Sequence, residues 1–211
     1  MRYDEVRELG EKNEKEIQSA IENRLLTLSP SGYCNRNPYR GNGQYETEYD
    51  ERNEWYDIEL VINLKDYHTN YGTTITWFNG KQVRWIECKL DRVGADTGRI
   101  PVEMYSDFFN KGVFSPSGIL ATKSDLWITR RLTGEYFVCH TSQLRLLAYG
   151  NLCEKKRTEM LETSKVPSLI NLVSDRLVKE IAIDYGMDIN NINLEKILYG
   201  ENLHNHLKTY Q

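Results

Sequence analysis

The run Val83-Arg84-Trp85-Ile86-Glu87-Cys88-Lys89 decides how this chain is read. Side chains alternate across a β-strand, so Glu87 and Lys89 leave one face while Ile86, Cys88 and Leu90 leave the other. The second face is apolar and suited to a core. The first fixes an acid beside an amine, a pair able to meet a cation and handle a water molecule. Upstream, Trp55-Tyr56-Asp57-Ile58-Glu59-Leu60-Val61-Ile62 repeats the strand pattern and adds another acid, Asp57.

Working outward, Asn79-Gly80 separates two β-rich runs, 73–78 and 82–89, which is the strongest short hairpin signal. Arg99–Met104 reads as a further strand carrying Glu103. Ser115-Pro116-Ser117-Gly118 is a turn, and Thr133-Gly134 joins two more strands, 127–131 and 135–139. Thr141 or Ser142 then opens a helix through Leu144, Leu147 and Ala148. Near the start, Val6, Gly10, Ile17, Ile21, Leu25 and Leu28 form one helical stripe over 4–28. Glu14 lies inside that stripe, where an acid needs either a basic partner or a metal. Residues 29–53 read as a long loop whose tyrosines and arginines (Tyr33, Arg36, Tyr39, Arg40, Tyr45) either cover the core or stack on bases. After Val166-Pro167, the spacing of Leu169, Val173, Leu177 and Ile181 predicts helix. Helix, strands and then helices imply an α/β fold. Its mixed central β-sheet would be flanked by helices, with a core over 1–160 and a helical C-terminal appendage over 161–211.

With 211 residues, the chain fits one medium domain able to bury a sizeable core. Hydrophobic residues at 39% and charged residues at 27% suit a soluble globular protein. No apolar run nears the roughly 20 residues that span a bilayer, so no membrane partner is expected. Residues 1–8 lack a secretory apolar stretch. The expected location is the cytoplasm, including that of a virus-infected cell. Cys34, Cys88, Cys139 and Cys153 show no CxxC spacing and read as reduced, buried thiols. A net charge of −4 gives no global attraction to nucleic acid, so any such contact must come from local basic patches.

The acids and the lysine form an ordered set: Glu14 on the first helix, Asp57 on a strand, Glu87-Cys88-Lys89 on the next, then Glu103. With Tyr56-Asp57-Ile58, Ile86-Glu87-Cys88-Lys89-Leu90-Asp91, residues 97–103, Ser117-Gly118-Ile119 and residues 122–127, the chain resembles the PD-(D/E)XK nuclease superfamily. It looks most like phage and archaeal members related to Holliday junction resolvases and restriction-type enzymes. The resemblance covers roughly the first 150 residues. It implies that Asp57 and Glu87, with the Cys88 carbonyl, ligate Mg²⁺ or Mn²⁺, and that Lys89 positions or activates the attacking water. Glu14 matches a first-helix acid aimed at the metal, and Glu103 a supporting acid that can equally pair with Lys123 or Arg99. Asp125 reads as a cap for backbone N–H groups. Tyr56 stands where the family's nominal proline would be, and Asp66 competes with Asp57.

The implied activity is metal-dependent endonucleolytic hydrolysis of DNA phosphodiesters, with branched or viral DNA among the substrates. Arg92, Arg99 and Lys123 would meet phosphates, and Arg130-Arg131 and Lys155-Lys156-Arg157 would follow the backbone further out. Symmetric cutting of two strands would need a homodimer, which the 169–181 stripe can build unless it closes the domain's own core. The rivals are a catalytically inactive nucleic-acid-binding or protein-interaction module of the same fold, and an RNA-cleaving nuclease.

Overall fold

The computed structural model describes residues 3–27, 32–37, 55–63, 81–92, 97–107, 111–150 and 168–198. Helix α1 (Tyr3–Leu25) is followed by strands β1 (Gly32–Arg36), β2 (Ile58–Asn63), β3 (Lys81–Asp91) and β4 (Arg99–Ser106). Next come β5 (Ser115–Pro116), a 3₁₀ turn (Gly118–Leu120), β6 (Leu126–Arg131), β7 (Tyr136–His140) and helix α2 (Thr141–Gly150). The chain continues through β8 (Ser168–Ser174), α3 (Asp175–Ile181), β9 (Ala182–Gly186) and a second 3₁₀ turn (Ile189–Asn191). A six-stranded sheet runs β1-β2-β3-β6-β7-β9, and a three-stranded sheet runs β5-β4-β8. The large sheet is mixed: β3 and β6 run parallel while its other neighbours are antiparallel. The expected α/β class with a mixed sheet flanked by helices is what forms.

Strand β3 has two faces, as its alternation requires. Ile86 and Cys88 join Ile58, Leu60, Ile62, Leu126, Ile128 and Val138 in a core sealed by Ile17, Ile21 and Leu25 of α1. The other face of the sheet contributes Trp127, Phe137 and Cys139 to a second core. Ile100, Val102 and Met104 of β4, Ile119, Leu144 and Ala148 of α2, Val173 of β8 and Val178 of α3 complete it. Two cores back to back on one sheet explain why β6 and β7 are buried on both faces.

Two expectations of secondary structure change. In its described part, residues 168–198, the helical appendage predicted over 161–211 is not wholly helical: β8 pairs with β4, β9 pairs with β7, and helix is limited to the seven residues of α3 between them and to 194–198. A spacing of four places residues on one helical face but equally on one face of a strand, because four is a multiple of two. Leu169 and Val173 obey the strand, and Val173 closes the domain's own core. Within the predicted 29–53 loop, Gly32–Arg36 forms an edge strand antiparallel to β2. The 73–78 hairpin arm, Asp66, Tyr39, Arg40, Tyr45, Cys153 and Lys155-Lys156-Arg157 lie outside the described residues.

Arg130 and Arg131 were expected on a solvated, phosphate-facing surface. Arg130 instead pairs with Glu16 of α1, and Arg131 is buried at the end of β6. The Arg131 guanidinium meets Asp91 of β3 at 3.2 Å, Asp175 of α3 at 2.6 Å, Glu135 of the β6–β7 turn, and the Arg99 carbonyl of β4 at 3.2 Å. Removing one partner of a buried ion network strands the remaining charges, at a cost of about 3–5 kcal/mol. Arg131→Ala should lose stability of that order in urea unfolding, and a loss below about 1 kcal/mol would show that the network ties nothing together.

Cys34, Cys88 and Cys139 are free and buried, as expected. Burial, and then Glu22, pushes the Cys34 thiol up to about 12, and burial does the same for Cys139. A raised thiol pKa gives stability that is complete below the unfolded value of 9.0 and drains as the pH climbs towards 12. The urea midpoint should therefore fall between about pH 8 and about pH 10.5, and fall less in a Cys34→Ala/Cys139→Ala variant. Equal slopes in the two proteins would refute the assignment.

Candidate functional site

Asp57 stands immediately before β2, where Ile58 pairs with Ile86 of β3. Continuing that antiparallel register one step sets Asp57 opposite Glu87, on the same side of the sheet. The Asp57 N–H donates to the Ile86 carbonyl at 2.9 Å, and Asp57 Oδ2 accepts the Cys88 N–H at 2.6 Å. The Asp57 carboxylate thus takes over a β3 donor at the point where β2 begins. Backbone groups alternate between the two edges of a strand, so the Cys88 carbonyl emerges on this same edge beside Asp57. Both acids are buried, at 2% and 7% exposure.

Lys89 lies two residues beyond Glu87 on the same face. Its Nζ sits 2.5 Å from Glu87 Oε1 and 5.5 Å from the Trp127 ring centroid. Burial alone would lower the pKa of this amine. The carboxylates of Glu87, Asp57 and Glu103 outweigh that penalty and hold it above the ordinary lysine range, so the group is an ammonium at neutral pH. Glu103 therefore belongs to the same electrostatic cluster from the second sheet. Its Oε1 accepts hydroxyl protons from Ser117 at 2.5 Å and Ser106 at 3.0 Å, rather than pairing with Lys123 or Arg99.

Thr122 is the member that sequence reasoning missed. Its hydroxyl lies 3.1 Å from Glu87 Oε2 and 3.0 Å from the Trp55 carbonyl. Nothing in its spacing advertises a contact with residues 35 and 67 positions away. The adjacent Lys123 places its ammonium 3.5 Å over the Trp55 ring, while Trp85 lies 4.9 Å from Tyr56 and 6.0 Å from Trp55. Asp125 caps a backbone donor as expected, although of a strand: its Oδ2 accepts the Trp85 N–H at 3.0 Å.

Glu14 has the ion-pair outcome. Its carboxylate accepts from Arg36 of β1 at 2.8 Å. No three His, Cys, Asp or Glu side chains among the described residues come together as a metal-holding group, so Glu14 does not join Asp57 and Glu87 in one. Arg92 follows the end of β3, and Arg99 opens β4 with its side chain exposed.

No protein-family model, curated protein or solved structure matches this chain. The chemistry of the site therefore rests on its own donors. Two carboxylates and one carbonyl are hard oxygen ligands. They are too few for the six to eight contacts Ca²⁺ prefers, but they fit Mg²⁺ or Mn²⁺, ions that keep much of their coordination as water. Among the described residues, no helix is long and apolar enough to cross a membrane.

The turn that carries Thr122 also fixes Glu103. Gly118 has φ of +49°, and a Cβ there would lie 2.6 Å from the Glu103 carbonyl oxygen and 2.8 Å from its Cβ. A side chain at this position is strained and collides with backbone. Gly118→Ala should destabilise the fold by about 1–3 kcal/mol in urea unfolding, and a neutral result would contradict the close approach.

Proposed function

We propose that the chain is a metal-dependent endonuclease acting on DNA phosphodiesters, with Asp57, Glu87 and Lys89 at its centre. The observation that carries this reading is the meeting of two buried carboxylates and an ammonium on one face at the β2–β3 junction. The order of these residues along the chain, which resembles the PD-(D/E)XK nucleases, supports it further. Asp57, Glu87 and the Cys88 carbonyl would hold Mg²⁺ or Mn²⁺. The bound ion would supply Lewis-acid charge at the scissile phosphate.

The protein's own groups have separate tasks. Lys89, a charged donor beside Glu87, would hydrogen-bond a non-bridging phosphate oxygen or the attacking water and offset negative charge as it develops. Glu103 keeps that ammonium turned towards the site. Lys123, Arg99 and Arg92 would meet flanking phosphates. Glu14 has a structural task in this reading, holding β1 through Arg36.

The rival is a binding module whose acids serve stability. It draws on the fact that both Glu87 oxygens already have protein partners, Lys89 and Thr122. Linear duplex, single-stranded and four-way-junction DNA, and a matching RNA, should be incubated with Mg²⁺, Mn²⁺ or EDTA. Wild type should cleave a DNA substrate only with metal. Lys89→Ala should lose about 10²–10³-fold in rate, and Asp57→Ala/Glu87→Ala should lose metal binding altogether. No cleavage of any substrate by wild type, with nucleic-acid affinity kept in EDTA, would favour the module. Cleavage of the RNA alone would transfer the activity to that substrate.

A further inference from the structure

We propose that Thr122 is the positioning residue that orients the Glu87 carboxylate for cation binding, an inference that rests on the metal-site reading above. Asp57 is tied directly to β3, its N–H donating to the Ile86 carbonyl and its Oδ2 accepting the Cys88 N–H, whereas the Glu87 carboxylate is oriented by side-chain contacts. The neutral side-chain donor within reach of the Glu87 carboxylate is Thr122. Its Oγ1 reaches the Glu87 carboxylate at 3.1 Å and, at 3.0 Å, the carbonyl of Trp55, two residues before Asp57.

This residue is itself rigidly seated. Thr122 is 4% exposed. The Ser124 N–H donates to its oxygen at 3.2 Å, and Arg145 of α2 donates to its carbonyl at 3.2 Å and to that of Ile119 at 2.9 Å. The Lys123 N–H donates to the same Trp55 carbonyl at 3.0 Å. Trp55 therefore keeps a donor when the single hydroxyl proton of Thr122 turns to Glu87. That proton can serve one acceptor at a time, and either choice leaves no donor orphaned. A carboxylate oxygen has two lone-pair directions, so Glu87 Oε2 can keep Thr122 while turning its other side to an ion. Hydrogen bonds to ligating carboxylates of this kind are worth about 10–100-fold in metal affinity.

The test reads Mn²⁺ directly, by counting free and bound ion in magnetic-resonance titrations of the full chain. Thermal unfolding is followed in parallel. Thr122→Val, which keeps the shape and removes the hydroxyl, should bind Mn²⁺ about 10–100-fold more weakly than wild type. Thr122→Ser should stay within about threefold of wild type. If Thr122→Val fails to fold, Thr122→Ala against Thr122→Ser gives the same contrast. Equal affinity in wild type and the hydroxyl-free variant overturns the proposal and leaves the metal site standing. Equal losses in the serine and hydroxyl-free variants overturn it too, because the methyl packing would then be responsible. Absence of Mn²⁺ binding by wild type overturns both this inference and the reading beneath it.

Discussion

The guanidinium of Arg131 is where the two sheets, α3 and the β6–β7 turn meet, and the rest of the arrangement depends on its being satisfied there. A buried cation is tolerable only when its donors all find acceptors and its charge is balanced. Asp91, Glu135 and Asp175 provide the balance from three separate elements, and the Arg99 carbonyl adds an acceptor from a fourth. Lys179 of α3 offsets the surplus negative charge by pairing with Glu135 at 3.3 Å. This junction fixes the second sheet against the first. It thereby fixes the distance from β4, which carries Glu103, to β3, which carries Lys89.

The candidate site follows from the same logic on a smaller scale. Three carboxylates share the neighbourhood of a single ammonium, and each has neutral donors to spread its charge. Asp57 takes the Cys88 amide, Glu87 the Thr122 hydroxyl, and Glu103 the hydroxyls of Ser106 and Ser117. Among the described residues of this cluster, the carboxylates outnumber the ammonium. In the function proposed, that balance favours a divalent cation, whose charge a phosphate would then meet. The aromatic group of Trp55, Tyr56 and Trp85, with Lys123 against Trp55, lies beside it and lends the site a firm wall.

Much of this was legible from local pattern. Period-two alternation placed Glu87 and Lys89 on one face of β3 and Cys88 in the opposite core. Thr133-Gly134 marked the β6–β7 turn, and the stripe from Ile17 to Leu25 marked α1. Strand β8 was not legible, because a spacing of four satisfies helix and strand alike and only pairing with β4 resolves that ambiguity; β9 lies beyond the stripe and is defined by its pairing with β7. Strand β1 was hidden by its Gly and Asn content; it forms because β2 offers it an edge.

What the sequence determined by itself was therefore the set of faces: which side chains leave each strand or helix together, and that Asp57, Glu87 and Lys89 belong to polar ones. What only the tertiary structure decided was partnership. Glu14 could have met a metal or a base and meets Arg36; Arg131 could have faced solvent and is buried among carboxylates; Glu87 acquires Thr122. The physical reason is that faces follow from dihedral geometry repeating every two or 3.6 residues. A hydrogen bond or ion pair depends instead on where distant segments come to rest, and no local period encodes that.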